Sequence, residues 1–396
     1  MPRLGVIDVT TSDLHVELNS DALKGRLIDV IVSGSIGAVE SVRFIRALRR
    51  LGADVQPWLT KGGALFTTET ALSWAAARPC RMTFEGTASH ISLGDACVIA
   101  PASASILSRI AAGSTDTPAS ALIASYLGMK KPVYLVANMH DSMFESPFVQ
   151  ENFRKVKTYC QVLEARREEG KQKFPEPAVL ADEIAHRFNH RVDQILVTMG
   201  TTRGYIDDVR YISNYSSGAL GSRIAEEFYR QGFQTSVVQG PCPIKPKTYT
   251  KLIPVDTNEQ MGKAVLDVEE LGIQGAVFAA SVLDFVPTER KTGKIRSSEA
   301  LQVNFEATPK IISSVTTPLR FKVGFKLESA PASTELAQLY LSKYSLTHLV
   351  MNQLQNVSAD SHLADIWRPE QGPIKALAGK EAIARVLVSD AKVLLG

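Results

Sequence analysis

The chain has only four cysteines, at 80, 97, 160 and 242, and none forms a CxxC pair. Single cysteines scattered in this way exclude a zinc site of the usual spacing and a disulfide framework, and they suit a reducing compartment. Excess charge is also scarce: 44 Lys and Arg against 41 Asp and Glu leave a net +3. So small a balance gives no basis for nucleic-acid binding, and phosphate recognition has to be local. Long apolar runs are missing, and nothing approaches the roughly 20 residues of a membrane helix. The stretch from Met1 to Asp29 carries charges where a signal peptide needs an apolar core. The expectation is a cytoplasmic protein with no membrane partner. A GxGxxG followed by an acidic residue is absent too, which places a generic dinucleotide oxidoreductase last among the readings.

What the sequence does contain is two copies of one kind of unit. Asp29–Ser33 is a short apolar run, GSIGA follows, and Phe44, Leu48 and Leu51 then recur at helical spacing. Gly52 stops that helix, and Ala53–Thr60 reads as the next strand. The second half repeats this order with Gln194–Thr198, a long polar loop, a helix bearing Leu220, Ile224 and Phe228, Gly232 as its stop, and Thr235–Gln239. Ala276–Ala280 and Leu349–Met351 read as further core strands. Such βαβ units imply parallel sheets, so the 396 residues are expected to form two α/β domains. The boundary is expected in Glu164–Asp193, a charged linker that turns helical, giving domains 1–177 and 194–396 with a linker helix over 178–193.

The chemistry concentrates in Thr198–Gly221. Ser216, Ser217 and Gly218 stand where a helix should begin, and backbone N–H groups at such a point bind anions. Arg210 offers a fork for carboxylate or phosphate, and Asn214 offers a donor and an acceptor together. The plainer reading is that Ser216 or Ser217 only caps the helix. Asp284 follows the apolar strand Ala276–Ala280, beyond whose C-terminus open α/β sheets bind ligands. It could hold Mg²⁺ or a ribose hydroxyl, or be a surface turn. Lys294, in TGKIRS, is either solvated or placed to stabilise charge on a triphosphate.

RYISNYSSG, AASVLDF, Lys294–Arg296, Val323–Phe325 and Met351–Asn352 together resemble the phosphopantothenate–cysteine ligase family from Leu196 onward. The resemblance implies that 4'-phosphopantothenate attacks CTP, as in the bacterial type, or ATP, to give an acyl-nucleotide, which the amine of cysteine then resolves. It implies that Asn214 contacts the intermediate, Arg210 supports the second half-reaction and Lys294 assists the first. Ala280, Asp284, Gly324, Phe325 and Lys343 would line the nucleotide pocket, with Asp284 on Mg²⁺. Ala219 stands where the family has Lys, and Ser358–Ala364 replaces its GFGSDEN stretch.

In the first half, GSIGA at Gly34–Ala38, PASAS at Pro101–Ser105 and a lone His90 are weak signals one by one. In the order GSIGA, His90, APASAS, Gly113…Asp116 and NMHDSMF they resemble the flavin-dependent cysteine decarboxylase family over about Leu27–Pro177. That implies FMN held by Gly34, Ser35, Ile36 and Ser103, with His90 as the base. His140 stands where the family has an Asn that grips the substrate carboxylate, and the lid cysteine's place falls near Arg166. The two resemblances imply two Rossmann-like three-layer domains with mostly parallel sheets, small-molecule substrates and a homo-oligomer. Three readings of the first half stay open: a working decarboxylase, an enzyme of the oxidative half alone, and a catalytically impaired flavin-binding, assembly or regulatory module.

Overall fold

The computed structural model describes residues 13–84, 86, 88–91, 93–296, 301–329, 333–357 and 362–396. The stretch up to Ser12 and the Ser358–Ser361 part of the replaced segment lie outside the described residues. Residue contacts divide the chain into two units, Met1–Ala185 and His186–Gly396.

The first unit is built on a parallel sheet. Its strands are β1 (Leu27–Val32), β2 (Asp54–Leu59), β3 (Ala96–Ala102), β4 (Val133–Ala137) and the short β6 (Gln161–Val162), in the order β2-β1-β3-β4-β6. The order reverses between β1 and β3, so the crevice beyond their C-terminal ends is where a ligand is expected. The predicted helix forms as α1 (Ser41–Arg50), with Phe44, Ile45 and Leu48 buried. Asp29, inside β1, is buried and satisfied. It accepts from Trp58 Nε1 at 2.7 Å, from the Gly94 N–H at 3.0 Å and from the Tyr126 hydroxyl.

One expectation is corrected here. Arg166–Lys173, read from its charge as linker, is an antiparallel hairpin of β7 (Arg166–Glu168) and β8 (Lys171–Lys173). Glu169 and Gly170 both take positive φ, the turn that matches strand twist. β8 pairs in turn with β5 (Met139–His140). The helical segment runs over Pro177–Asn189 with Leu180, Ala181, Ile184 and Ala185 buried, and the division between units falls inside it.

The main sheet of the second unit has eight strands among the described residues. Six are parallel: β9 (Gln194–Met199), β12 (Gln234–Gln239), β13 (Lys251–Pro254), β14 (Gly275–Phe278), β17 (Phe321–Glu328) and β18 (His348–Val357). They run β13-β12-β9-β14-β17-β18, so the switch point lies between β9 and β14. Antiparallel β19 (His362–Arg368) and β20 (Gln371–Ala378) continue the sheet beyond β18. Two hairpins stand apart from it: β10 (Arg203–Tyr205) with β11 (Tyr211–Ser213), and β15 (Phe285–Pro287) with β16 (Phe305–Ala307). The helix Ala219–Arg230 and the helix Lys380–Leu395 pack together and share a core with Ile195, Val197, Phe321 and Val350. Among the described residues, no helix is long and apolar enough to cross a membrane.

Candidate functional site

In the first unit, the loops after β1 and β3 are knitted together. Ser33 Oγ donates to the Pro101 carbonyl at 2.8 Å and accepts from the Ser103 N–H at 2.8 Å. Gly34 lies against Gly62 so closely that a Cβ would meet its backbone at 3.0 Å. Ser103 is the N-cap of the helix Ala104–Ala112 and makes no side-chain cap bond, so that helix presents open amides beyond β3. Ile36 opens a short 3-10 helix and is exposed. Open amides, hydroxyls and an exposed apolar side chain, with no carboxylate among Gly34, Ser35, Ile36 and Ser103, suit a phosphorylated planar ligand.

Asn138 is the residue the sequence reading missed. It is buried directly after β4. Its Oδ1 accepts from the Ser35 hydroxyl and from the Gly37 N–H at 3.2 Å, and its Nδ2 donates to the Gln172 carbonyl at 2.7 Å. It therefore joins the GSIGA loop to the β7–β8 hairpin. Only a partner 101 residues away shows this role, which local patterning cannot reveal.

His140 is exposed. Its Nδ1 accepts from the Ser142 N–H at 3.1 Å and so caps the short helix Asp141–Phe144, which leaves Nε2 as the donor of the neutral ring. It pairs with Lys171 in the hairpin that carries Arg166. Arg166 itself is ion-paired with Glu168 at 3.2 Å. His90 is partly buried, meets Phe84 edge-on at 5.4 Å, and its Nδ1 has no hydrogen-bond partner among the described residues. No described bond links His90 to the Ser33–Ser103–Asn138 group. Farther along, the Arg109 hydrogen bond holds the Asp116 carboxyl down to about 2.

In the second unit, the loops after β9 and β14 meet at the switch point. The Ala279 N–H donates to the Thr198 carbonyl at 3.1 Å, the Ala280 N–H to Thr198 Oγ1 at 3.3 Å, and the Ser281 N–H to the Gly200 carbonyl at 2.8 Å. Gly240 packs so tightly that a Cβ would lie 1.7 Å from the Thr201 carbonyl oxygen. Asn214 reaches across from the neighbouring loop, and its Nδ2 donates to the Val282 carbonyl at 3.0 Å and to Ser281 at 3.4 Å. Its Oδ1 makes no described hydrogen bond.

Neither Ser216 nor Ser217 is the N-cap of the helix that follows them, although Ser217 holds the amide of its first residue. Gly218, at φ 76°, is the N-cap of the helix Ala219–Arg230 and makes no side-chain cap bond. Ser216 and Ser217 instead accept from the N–H groups of Gly218 and Ala219, each at 3.3 Å. The first-turn amides beyond them stay open, with the positive end of the helix dipole behind them. Arg210 is ion-paired with Asp207 and donates to the Ile295 carbonyl at 3.2 Å. Lys294, one residue earlier than Ile295, is exposed and makes no described bond.

Asp284 is exposed and ion-paired with Lys310, so a cation there must displace or share with that lysine. Among the described residues no group of three or more His, Cys, Asp or Glu side chains forms a metal cluster. Gly324 and Phe325 lie on β17, one strand from β14, and alternate between its two faces. Lys343 sits in the last turn of the helix Thr334–Lys343, its ammonium 5.3 Å from the Tyr344 ring. No described contact brings Lys343 to Ala280 or Asp284.

Cys242 Sγ lies where a Cβ on Gly218 would go, 2.7 Å from it. Burial pushes the Cys160 thiol up to about 11 and Cys80 to about 12, and it raises Cys97 as well. Only Cys242 is partly exposed. A maleimide added to the folded protein is therefore expected to label Cys242 first, as read by peptide mass. Faster labelling at Cys97 would contradict this packing.

The chain matches two family models: "Flavoprotein" over residues 16–189, and "DNA/pantothenate metabolism flavoprotein C-terminal domain" over residues 190–393. It is 33% identical to the coenzyme A biosynthesis bifunctional protein CoaBC of Thermococcus kodakarensis, over 81% of this chain and 84% of that protein. Its identity to the protein of the same name from Methanocaldococcus jannaschii is 29%, over 95% and 96%. A crystal structure of the C-terminal domain of a coenzyme A biosynthesis bifunctional protein CoaBC is similar with a TM-score of 0.45 and 23% identity, covering 52% of this chain and 97% of that one. The Flavoprotein and C-terminal matches in tandem, with a relative 33% identical along most of both chains, show that the chain belongs to the family of coenzyme A biosynthesis bifunctional proteins.

Proposed function

We propose that the chain is a phosphopantothenate–cysteine ligase in residues 194–396 and an FMN-dependent phosphopantothenoylcysteine decarboxylase in residues 1–177, joined through 178–193. The observation that carries the ligase reading is Asn214, tethered to the Ser281–Val282 carbonyls beside an open helix N-terminus.

In the first ligase step, the carboxylate of 4'-phosphopantothenate attacks the α-phosphate of CTP and pyrophosphate leaves. The open amides of Leu220 and Gly221 in the first turn, with the Lys294 ammonium, take up the phosphate charge. Asp284 would hold the Mg²⁺ that accompanies the triphosphate, displacing or sharing with Lys310, and the ion would neutralise phosphate charge. In the second step the amine of cysteine attacks the acyl carbon, CMP leaves and an amide forms. Arg210 stabilises the departing phosphate. Ala280, Gly324, Phe325 and Lys343 border the nucleotide.

In the first unit, FMN when bound supplies a two-electron oxidation of the substrate thiol. The open amides after Ser103 and the Gly34–Ile36 turn would hold its phosphate and ring. His140 Nε2 donates to the substrate carboxylate, and His90 takes the proton. A second reading, in which this unit stops after the oxidative half, is favoured by one observation: the hairpin beside His140 offers Arg166, and Cys160 is buried with its thiol pushed up to about 11. The chain acts as a cytoplasmic homo-oligomer. Its unpaired cysteines suit that compartment, and exposed Phe285 and Phe305 give a second copy an apolar surface.

The test is a product assay by mass on the full chain with 4'-phosphopantothenate, cysteine, Mg²⁺ and either CTP or ATP. Pyrophosphate, an amide product and subsequent loss of carbon dioxide are expected, with CTP preferred. No pyrophosphate with either nucleotide sinks the ligase reading. An enethiol in place of a thiol selects the oxidative-half reading.

A further inference from the structure

We infer that Asp207 and Asp208 are positioning residues that hold Arg210 and the Lys294 segment as one unit. The inference rests on the ligase reading above.

Lys294 lies in a segment with no regular secondary structure, is exposed and makes no described bond. The residues on either side of it are gripped. The Gly293 N–H donates to Asp208 Oδ2 at 2.7 Å, and the Ile295 N–H donates to Asp207 Oδ2 at 3.1 Å. Backbone bonds add to this hold: Asp208 N–H to the Gly293 carbonyl at 3.4 Å, and Lys291 N–H to the Ile206 carbonyl at 3.0 Å. Arg290 is pinned to Asp208 at 2.9 Å and lies 4.7 Å over the Tyr205 ring. Lys294 therefore sits between two amides, each held by its own carboxylate, and those carboxylates are neighbours in the chain.

Asp207 also reaches the other way. Its Oδ1 accepts from the N–H groups of Val209 at 2.8 Å and Arg210 at 2.6 Å, and its Oδ2 pairs with the Arg210 guanidinium. The Asp207 side chain is wholly shielded from solvent. Burial alone would raise its carboxyl, but three backbone N–H groups and Arg210 outweigh that and hold it far below the usual carboxylate range. One fixed charge thus orients Arg210 and fixes Ile295, and Arg210 closes the ring by donating to the Ile295 carbonyl at 3.2 Å. Asp208 grips only the Lys294 side.

This asymmetry separates positioning from a plain loop tie. Loosening Asp208 slows the step that uses Lys294 and spares the step that uses Arg210. Loosening Asp207 slows both. Misplacing a charged group by about 1 Å is enough to cost about 100-fold in rate.

The experiment uses the full chain in single turnover with CTP, Mg²⁺ and 4'-phosphopantothenate. Acyl-nucleotide formation is followed first without cysteine, and its decay is followed after cysteine is added. Thermal melting is measured alongside. Asp208→Ala is expected to slow formation at least about tenfold and to leave decay within about twofold. Asp208→Asn, which keeps an acceptor for Gly293, is expected to recover part of that rate. Asp207→Asn is expected to slow both steps. A wild-type chain that forms no acyl-nucleotide overturns the ligase reading and this inference with it. If the wild type forms it and both variants match it on both rates, the inference alone falls. It falls equally if Asp208→Ala slows both steps in the same proportion.

Discussion

Asn214→Ala is expected to leave pyrophosphate release within about threefold of the unaltered chain while amide formation falls by about 100-fold, the usual cost of removing one positioned polar group. Acyl-nucleotide should then accumulate. The asymmetry follows from what each nucleophile needs. A carboxylate attacks the phosphate in the first step and carries no proton to lose. An amine attacks the acyl carbon in the second, and its N–H needs an acceptor as positive charge develops. Asn214 has one acceptor to give. Its Nδ2 is committed to the Val282 and Ser281 carbonyls, which fixes the amide plane, while Oδ1 makes no described bond. Alanine removes both tether and acceptor. The measurement is rapid quench with mass detection of intermediate and product. Amide formation at the full rate would refute the placement.

Gly37→Ala is expected to yield a chain that binds FMN at least about tenfold more weakly, a loss of about 1.4 kcal/mol. A Cβ at 37 would lie 2.5 Å from Asn138 Oδ1 and 2.9 Å from its Cγ, a distance that side chains do not tolerate. Asn138 cannot yield cheaply, because its amide is buried and bonded to Ser35, Gly37 and Gln172. Each buried polar group left unpaired costs about 1–3 kcal/mol. Displacement of Asn138 therefore disturbs the Ser35 hydroxyl and the Gly34–Ile36 turn proposed to receive the flavin. The double variant Gly37→Ala, Asn138→Ala removes the clash but leaves the Gly37 N–H and the Gln172 carbonyl without Asn138, so FMN binding should return in part. Flavin absorbance per chain, after equilibration with FMN, checks both. A fully loaded single variant, or a double variant as pale as the single, would show that this contact does not govern the site.

Much of the frame was legible in the residues. The periodicity of Phe44 and Leu48 placed α1, and the apolar runs placed β9, β12, β14 and β18, because burial of one face is a local pattern. Ser216–Gly218 stood at a helix start, as the stop and start signals required. What stayed hidden depends on partners distant in sequence. Asn138 meets Gly37 across 101 residues, and Asp207 meets Ile295 across 88. The Lys310–Asp284 pair is similar, and it changes what Asp284 offers a metal. Charge misled in one place: Arg166–Glu168 looked like linker but pairs as a strand, because an exposed hairpin tied along one edge to β5 tolerates a fully polar sequence when its turn is right.

The helix Lys380–Leu395 has a further meaning for how the second unit comes into being. Its Ile383, Leu387, Val388 and Ala391 fill the same core as Ile195 and Val197, from the opposite end of the unit in sequence. Arg320 also reaches the Leu395 carbonyl at 3.1 Å, and Arg191 reaches the Gly396 carbonyl. Contacts so far apart along the chain are slow to form. At a synthesis rate of about 5–20 residues per second, β9 leaves the ribosome many seconds before the helix that covers it. Through that interval the central strands are without their final cover. A newborn chain therefore exposes, for some seconds, apolar surface that the finished one buries, and it is most prone to stick to its neighbours in that interval.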